Sequence, residues 1–188
     1  MAKQFPSIDS KHRAFIENQY IFFTASATDT SRVNLSPRPS LSFRVVDENT
    51  VLYLDMTGSG SETSAHLLIN DRLTIMMCSF DKTPLILRLY GHARSINRDT
   101  PEFESLINAH FNAETPTGAR QIILLSVDIV QTSCGFGVPL FNLEGERDTL
   151  DHWAQNKGID GIKAYWKEKN STSMDGLPTG IPVDNETQ

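Results

Sequence analysis

The 188-residue chain has two cysteines, Cys78 and Cys134, and they stand far apart. No disulfide framework and no Cys-x-x-Cys pair can be drawn from them. The five histidines, His12, His66, His92, His110 and His152, are not at ligand spacing from one another, so nothing supports a metal centre. No apolar run approaches the ~20 residues that cross a bilayer. Met1–Ser10 is polar and lacks the apolar core of a secretory signal. The expectation is a cytoplasmic protein in a reducing compartment, with the glycosylation tripeptides at Asn34, Asn170 and Asn185 read as chance matches. Excess positive charge is missing too: 17 Lys and Arg against 23 Asp and Glu give a net charge of -6. No segment concentrates bases, which sets aside nucleic acid and anionic membrane surfaces as partners. There is no Gly-x-Ser-x-Gly nucleophile elbow and no Gly-Lys phosphate-loop pair.

What is present is the material of one ordinary domain, 39% hydrophobic and 21% charged. Lys11–Gln19 reads as a short helix and Tyr20–Ser26 as an aromatic strand. Val33–Ser36 runs into Pro37 and Pro39, which marks an edge strand. Leu41–Val46 and Val51–Met56 flank a polar turn, and Leu73–Phe80, Leu85–Ile96 and Gln121–Val130 complete the set. Thr100-Pro101-Glu102 opens a helix carrying Phe103, Leu106 and Ile107 at helical spacing. Arg147–Lys157 and Gly161–Lys169 read as two further helices, and Asn170–Gln188 as coil. About six strands without βαβ alternation predict a mainly β protein, an antiparallel barrel with peripheral helices. Residues 11–134 form the barrel, and residues 135–188 are expected to be a carboxy-terminal extension packed on it.

The site-like segment is Asp55–His66, where a strand ends, a Gly/Ser loop follows and a helix begins. Gly58 and Gly60 allow close approach to the backbone, and Ser59, Ser61, Thr63 and Ser64 supply hydroxyls. Two readings stay open: a phosphate cradle, or a serine-rich turn in which Ser61 or Thr63 caps the helix. Thr63 stands where a dinucleotide fingerprint requires glycine. Arg88, inside an apolar strand, needs either an anionic partner in the protein or a bound phosphate. Cys78 reads as a small buried apolar residue and Glu102 with Glu104 as a solvated helix start.

Asn34-Leu35-Ser36-Pro37-Arg38, the run Tyr53–Leu67 and Leu87–Gly91 resemble the pyridoxamine 5′-phosphate oxidase-like flavoproteins. Ser133–Pro139, Gly145–Leu150 and Lys169–Pro178 match one branch of that family, and the likeness runs from about Phe15 to Pro182. It implies an FMN-binding split barrel of six strands, assembled as a homodimer with flavin at the interface. By that resemblance Asn34, Leu35, Ser36 and Arg38 form the first flavin-contacting strand, with Arg38 where the oxidases carry lysine. Met56 and Thr57 form the second, and Gly58 opens the phosphate loop that follows. Ser61, Glu62 and Thr63 align with the Ser-Arg-Lys run that holds the phosphate in the oxidases, so backbone N–H groups and hydroxyls take over, with charge from Arg88 or Arg38. Phe136 and Val138 stand where the oxidases close over pyridoxamine, and no arginine-bearing clamp is found there. The expected function is an FMN-dependent oxidoreductase of unspecified substrate, not a vitamin B6 oxidase. The alternatives are an FMN-binding protein without turnover, a reductase using the deazaflavin F420, and a barrel without cofactor that serves only as an interaction module.

Overall fold

Alternating inward-apolar patterning builds the strands. The computed structural model describes residues 2–183. Its elements are β1 (Lys3–Phe5), α1 (Ser10–Glu17), β2 (Ile21–Ser26), β3 (Asn34–Pro39), β4 (Phe43–Val45), β5 (Thr50–Met56), α2 (Glu62–Leu67), β6 (Arg72–Cys78), β7 (Ile86–Asn97), α3 (Pro101–His110), β8 (Ala119–Ser133) and α4 (Thr149–Tyr165). Seven strands follow the order β3-β2-β6-β7-β8-β5-β4 in one antiparallel sheet, and β1 adds to β8.

The sheet curls until its two ends meet. Phe22 of β2 packs edge-on against Phe43 of β4 and Tyr53 of β5, with ring centroids 5.0 and 5.4 Å apart. The enclosed core takes Leu73, Ile75, Met77, Leu87, Leu89, Val51, Ile123 and Leu125 from the inner faces. Each such side chain stabilises the fold by roughly 1.5–3 kcal/mol on burial. This is the curled, split barrel of the expectation, with two short strands beyond the six. β4 is shorter than the predicted Leu41–Val46. The chain turns through a 3-10 segment at Ser40–Ser42, where Ser42 Oγ donates to Pro39 O at 2.8 Å.

Thr100 caps α3 by accepting from Phe103 N at 3.2 Å. Phe103 and Ile107 then cover Leu52, Leu54, Ile96 and Ile122 on the outer face of β5, β7 and β8. Among the described residues nothing comparable covers the rest of the outer face. Leu35 is 65% and Ile129 38% exposed, and Ile21, Phe23, Ala25, Met76 and Tyr90 are half-exposed beside them. The carboxy-terminal extension is helical where the sequence predicts it, broken by Gly158 at φ 63°. It forms a small core of Ala154, Ile162, Trp166 and Ile181, seated on Gly118. Among the described residues no helix is long and apolar enough to cross a membrane.

Candidate functional site

Val51, Tyr53 and Asp55 share the inner face of β5, and Asp55 is 1% exposed. A carboxylate there requires donors and cations. Arg38 Nη1 donates to Oδ1 at 2.6 Å. Oδ2 accepts from Arg120 Nε at 3.0 Å, Arg120 Nη2 at 2.7 Å and Gln121 Nε2 at 3.0 Å. Burial pushes the Asp55 carboxyl up, but the Arg120 and Arg38 guanidinium groups outweigh it and hold it below the usual carboxylate range. One carboxylate between two guanidinium groups leaves the cluster with a net positive charge. Arg120 reaches it through a β-bulge. Asp55 pairs with Gln121 and Met56 with Ala119, so Arg120 is the extra residue and its side chain is re-aimed inward.

The loop after β5 is anchored at its carbonyls. Asn170 Nδ2 donates to Gly58 O at 3.0 Å, and Arg120 Nη1 to Gly60 O at 3.2 Å. In a trans peptide the N–H points opposite to the carbonyl. No cis peptide occurs among the described residues, so the N–H groups of Ser59 and Ser61 turn away from these two anchors. Among the described residues nothing accepts a hydrogen bond from the N–H groups of residues 58–63. A Cβ on Gly58 or Gly60 would meet nothing within 4 Å, so the loop is open at both positions.

The hydroxyls are engaged elsewhere. Ser61 is the N-cap of α2, yet its Oγ makes no capping bond and donates to Asn170 O at 3.1 Å. Thr63 Oγ1 accepts from Asn34 Nδ2 at 3.1 Å, and Gln121 Nε2 donates to Ser64 Oγ. Thr57 Oγ1 donates to Gly118 O and accepts from Trp166 Nε1, each at 2.8 Å. The Glu62 carboxylate accepts from Met174 N at 3.0 Å, which turns it onto the carboxy-terminal segment. Neither sequence reading of Ser61 and Thr63 describes their hydroxyls: these tie the loop to the extension and to β3.

Asn34, Ser36 and Arg38 face inward on β3, and Leu35 faces outward. Ser36 Oγ donates to Asn34 Oδ1 at 3.0 Å, and Met56 lies beside Gly118. The fold therefore gathers Asn34, Ser36, Arg38, Thr57, Gly58, Ser61, Glu62 and Thr63 around one loop. Arg88 is not among them. It lies on the outer face of β7, opposite Met76 and Gln131, and its Nη1 donates to Ser133 Oγ at 3.3 Å. Phe136, 82% exposed, and Val138 belong to an extended strap whose Gly135 packs on Leu85, at the far end of β7. That strap continues past Phe141 and Leu143. With Tyr20, Pro39, Phe80 and Arg38 these two residues wall a cavity of about 560 Å³. Arg120, Gln121, Trp166 and Asn170 are site residues that sequence reasoning missed. The available signal was an Arg-Gln pair at the mouth of an otherwise apolar strand.

The family model for pyridoxamine 5′-phosphate oxidase matches residues 8–134. The pyridoxamine 5′-phosphate oxidase family protein ustO of Aspergillus flavus is 36% identical over 192 residues, covering 93% of this chain and 76% of that protein. Two solved structures share the fold. HupZ of Group A Streptococcus superposes with a TM-score of 0.52 at 19% identity, over 65% of this chain and 91% of its own. A pyridoxamine 5′-phosphate oxidase-related, FMN-binding protein of Nostoc punctiforme superposes with a TM-score of 0.51 at 13% identity, over 69% and 85%. The sequence resemblance, the curled antiparallel sheet and the family match over most of that sheet agree: the chain belongs to the pyridoxamine 5′-phosphate oxidase family.

Proposed function

We propose that the protein is an FMN-binding flavoprotein of this family and acts as a flavin-dependent oxidoreductase. One observation carries the reading: among the described residues the N–H groups of residues 58–63 meet no acceptor, the loop is open at Gly58–Gly60, and a net positive cluster reaches it from behind through Arg120. Successive backbone N–H groups of this kind suit a phosphate. Glu62, the one acid in the loop, is turned onto Met174 and does not oppose an anion there. The fit differs from the sequence expectation in its donors. The backbone, the buried Arg120 and the half-buried Arg38 serve the phosphate, whereas the Ser61 and Thr63 hydroxyls hold the loop in shape.

Bound FMN would supply the electron-transfer chemistry. The chain's own residues bind and orient. Asp55 stays ionised between its two arginines, and burial pushes the Tyr53 hydroxyl up to about 12, so neither exchanges a proton near neutral pH. The Phe80, Phe141 and Leu143 wall suits a flat substrate, with Arg38, Asp81, Glu146 and Arg147 as the charged part of the lining. The uncovered outer face around Phe23, Leu35 and Ile129 supports a homodimer.

Equilibrium titration of FMN against riboflavin tests the phosphate reading. FMN is expected to bind at least ~10-fold more tightly, the scale of a set of charge-assisted hydrogen bonds. Equal affinities would remove it. Oxygen or NAD(P)H consumption by the FMN-loaded protein then separates an oxidoreductase from a carrier without turnover.

A further inference from the structure

The anchors of the loop have a consequence of their own. Gly58 O and Gly60 O are two residues apart, and each is held from behind by a side chain of a distant element. Arg120 comes from the bulge of β8, and Asn170 from the turn that follows α4. Both are nearly or fully buried, at 2% and 0% exposure. Asn170 is itself fixed: its carbonyl accepts from Ser61 Oγ at 3.1 Å and Thr179 Oγ1 at 2.6 Å. A cation or amide donor on a carbonyl polarises the whole peptide, which makes the N–H at its other end a stronger donor. Each anchor thus turns one N–H, that of Ser59 or of Ser61, away from itself and sharpens it, and Arg120 places its charge behind the Gly60–Ser61 peptide.

We infer that Arg120 and Asn170 are the positioning residues that give this loop its selectivity for a phosphorylated ligand. They do so without touching the ligand, in place of basic side chains in front of it. Asp55 sets the strength of the effect, because it neutralises one of the two guanidinium charges. The inference rests on the proposed FMN reading and adds what makes the site an anion site in this chain.

Its test is the ratio of FMN to riboflavin affinity in three full-length proteins, with inorganic phosphate as a competitor. Asn170→Ala removes one anchor outside the barrel core and is expected to cut FMN affinity about 10-fold, the scale of a lost charge-assisted bond, and leave riboflavin unchanged. Asp55→Asn keeps a side chain of the same shape, raises the buried charge, and is expected to increase the preference for FMN. A purely structural role would move both ligands together, or shift the melting temperature without changing the ratio. Circular dichroism confirms folding, and if Asp55→Asn does not fold, Asn170→Ala alone decides. Native protein that binds FMN selectively, with an Asn170→Ala variant of unchanged ratio, overturns this inference and leaves the FMN reading standing. Native protein without selectivity removes both.

Discussion

Asp55 is the residue on which stability and pH meet. Its folded-state pKa lies below the unfolded value of ~3.9. The stability it contributes is therefore present above that value and is lost as pH falls through the depressed one. Urea denaturation between pH 6 and pH 2 should show an acid limb that Asp55→Asn flattens; an identical limb in the variant would assign acid unfolding to other groups. Arg120→Met should cost about 3–5 kcal/mol, because it leaves a buried carboxylate short of its main partner. Tyr53 predicts the opposite behaviour. Its hydroxyl is fully buried beside the Thr24 and Thr63 hydroxyls, which both oppose the upward pKa shift yet lie outside good hydrogen-bond geometry. Tyr53→Phe should leave stability unchanged or raise it by about 1 kcal/mol, since an unpaired buried hydroxyl is costly to keep. A loss larger than 1 kcal/mol in the same denaturation experiment would mean the hydroxyl has a partner.

At the scale of elements, bulges decide what alternation alone does not. β7 and β8 slip register at Tyr90/Gly91, and a Cβ on Gly91 would lie 1.9 Å from Ser126 O. Gly91→Ala should therefore cost about 3 kcal/mol, the upper range for forced overpacking, as read by chemical denaturation. A loss under 1 kcal/mol would mean the strands separate there easily. The same physics explains what the sequence revealed and what it hid. Strands β2, β5, β6, β7 and α3 were legible because apolar periodicity and the Thr100-Pro101 cap are local signals. The loop from Gly58 to Thr63 was legible from its glycines. Arg120 was not, because only a bulge turns it inward against the alternation of β8. Asn170 was not, because a bond to Gly58 across 112 residues has no local signature. The hydroxyls of Ser61 and Thr63 were legible as polar and close to the site, yet their partners lie on the extension and on β3.

At the scale of the molecule, the barrel is covered on one outer side by α3 and open on the other. Sedimentation at micromolar concentration should find a homodimer. A monomer carrying FMN would contradict both the dimer and the use of that face. The strap at Phe136–Val138 presents no charge, Arg38 is already paired with Asp55, and Arg147 shares the cavity lining with two acids, Asp81 and Glu146. A second phosphate entering a partly desolvated pocket would be poorly compensated. Pyridoxal 5′-phosphate formation under air should accordingly be negligible beside a genuine oxidase, and comparable turnover would show that the clamp is supplied in another way. Mass spectrometry of the small molecule released on denaturing the purified protein reads the bound cofactor. FMN in stoichiometric amount is expected; riboflavin, F420, another cofactor or none would overturn the FMN reading.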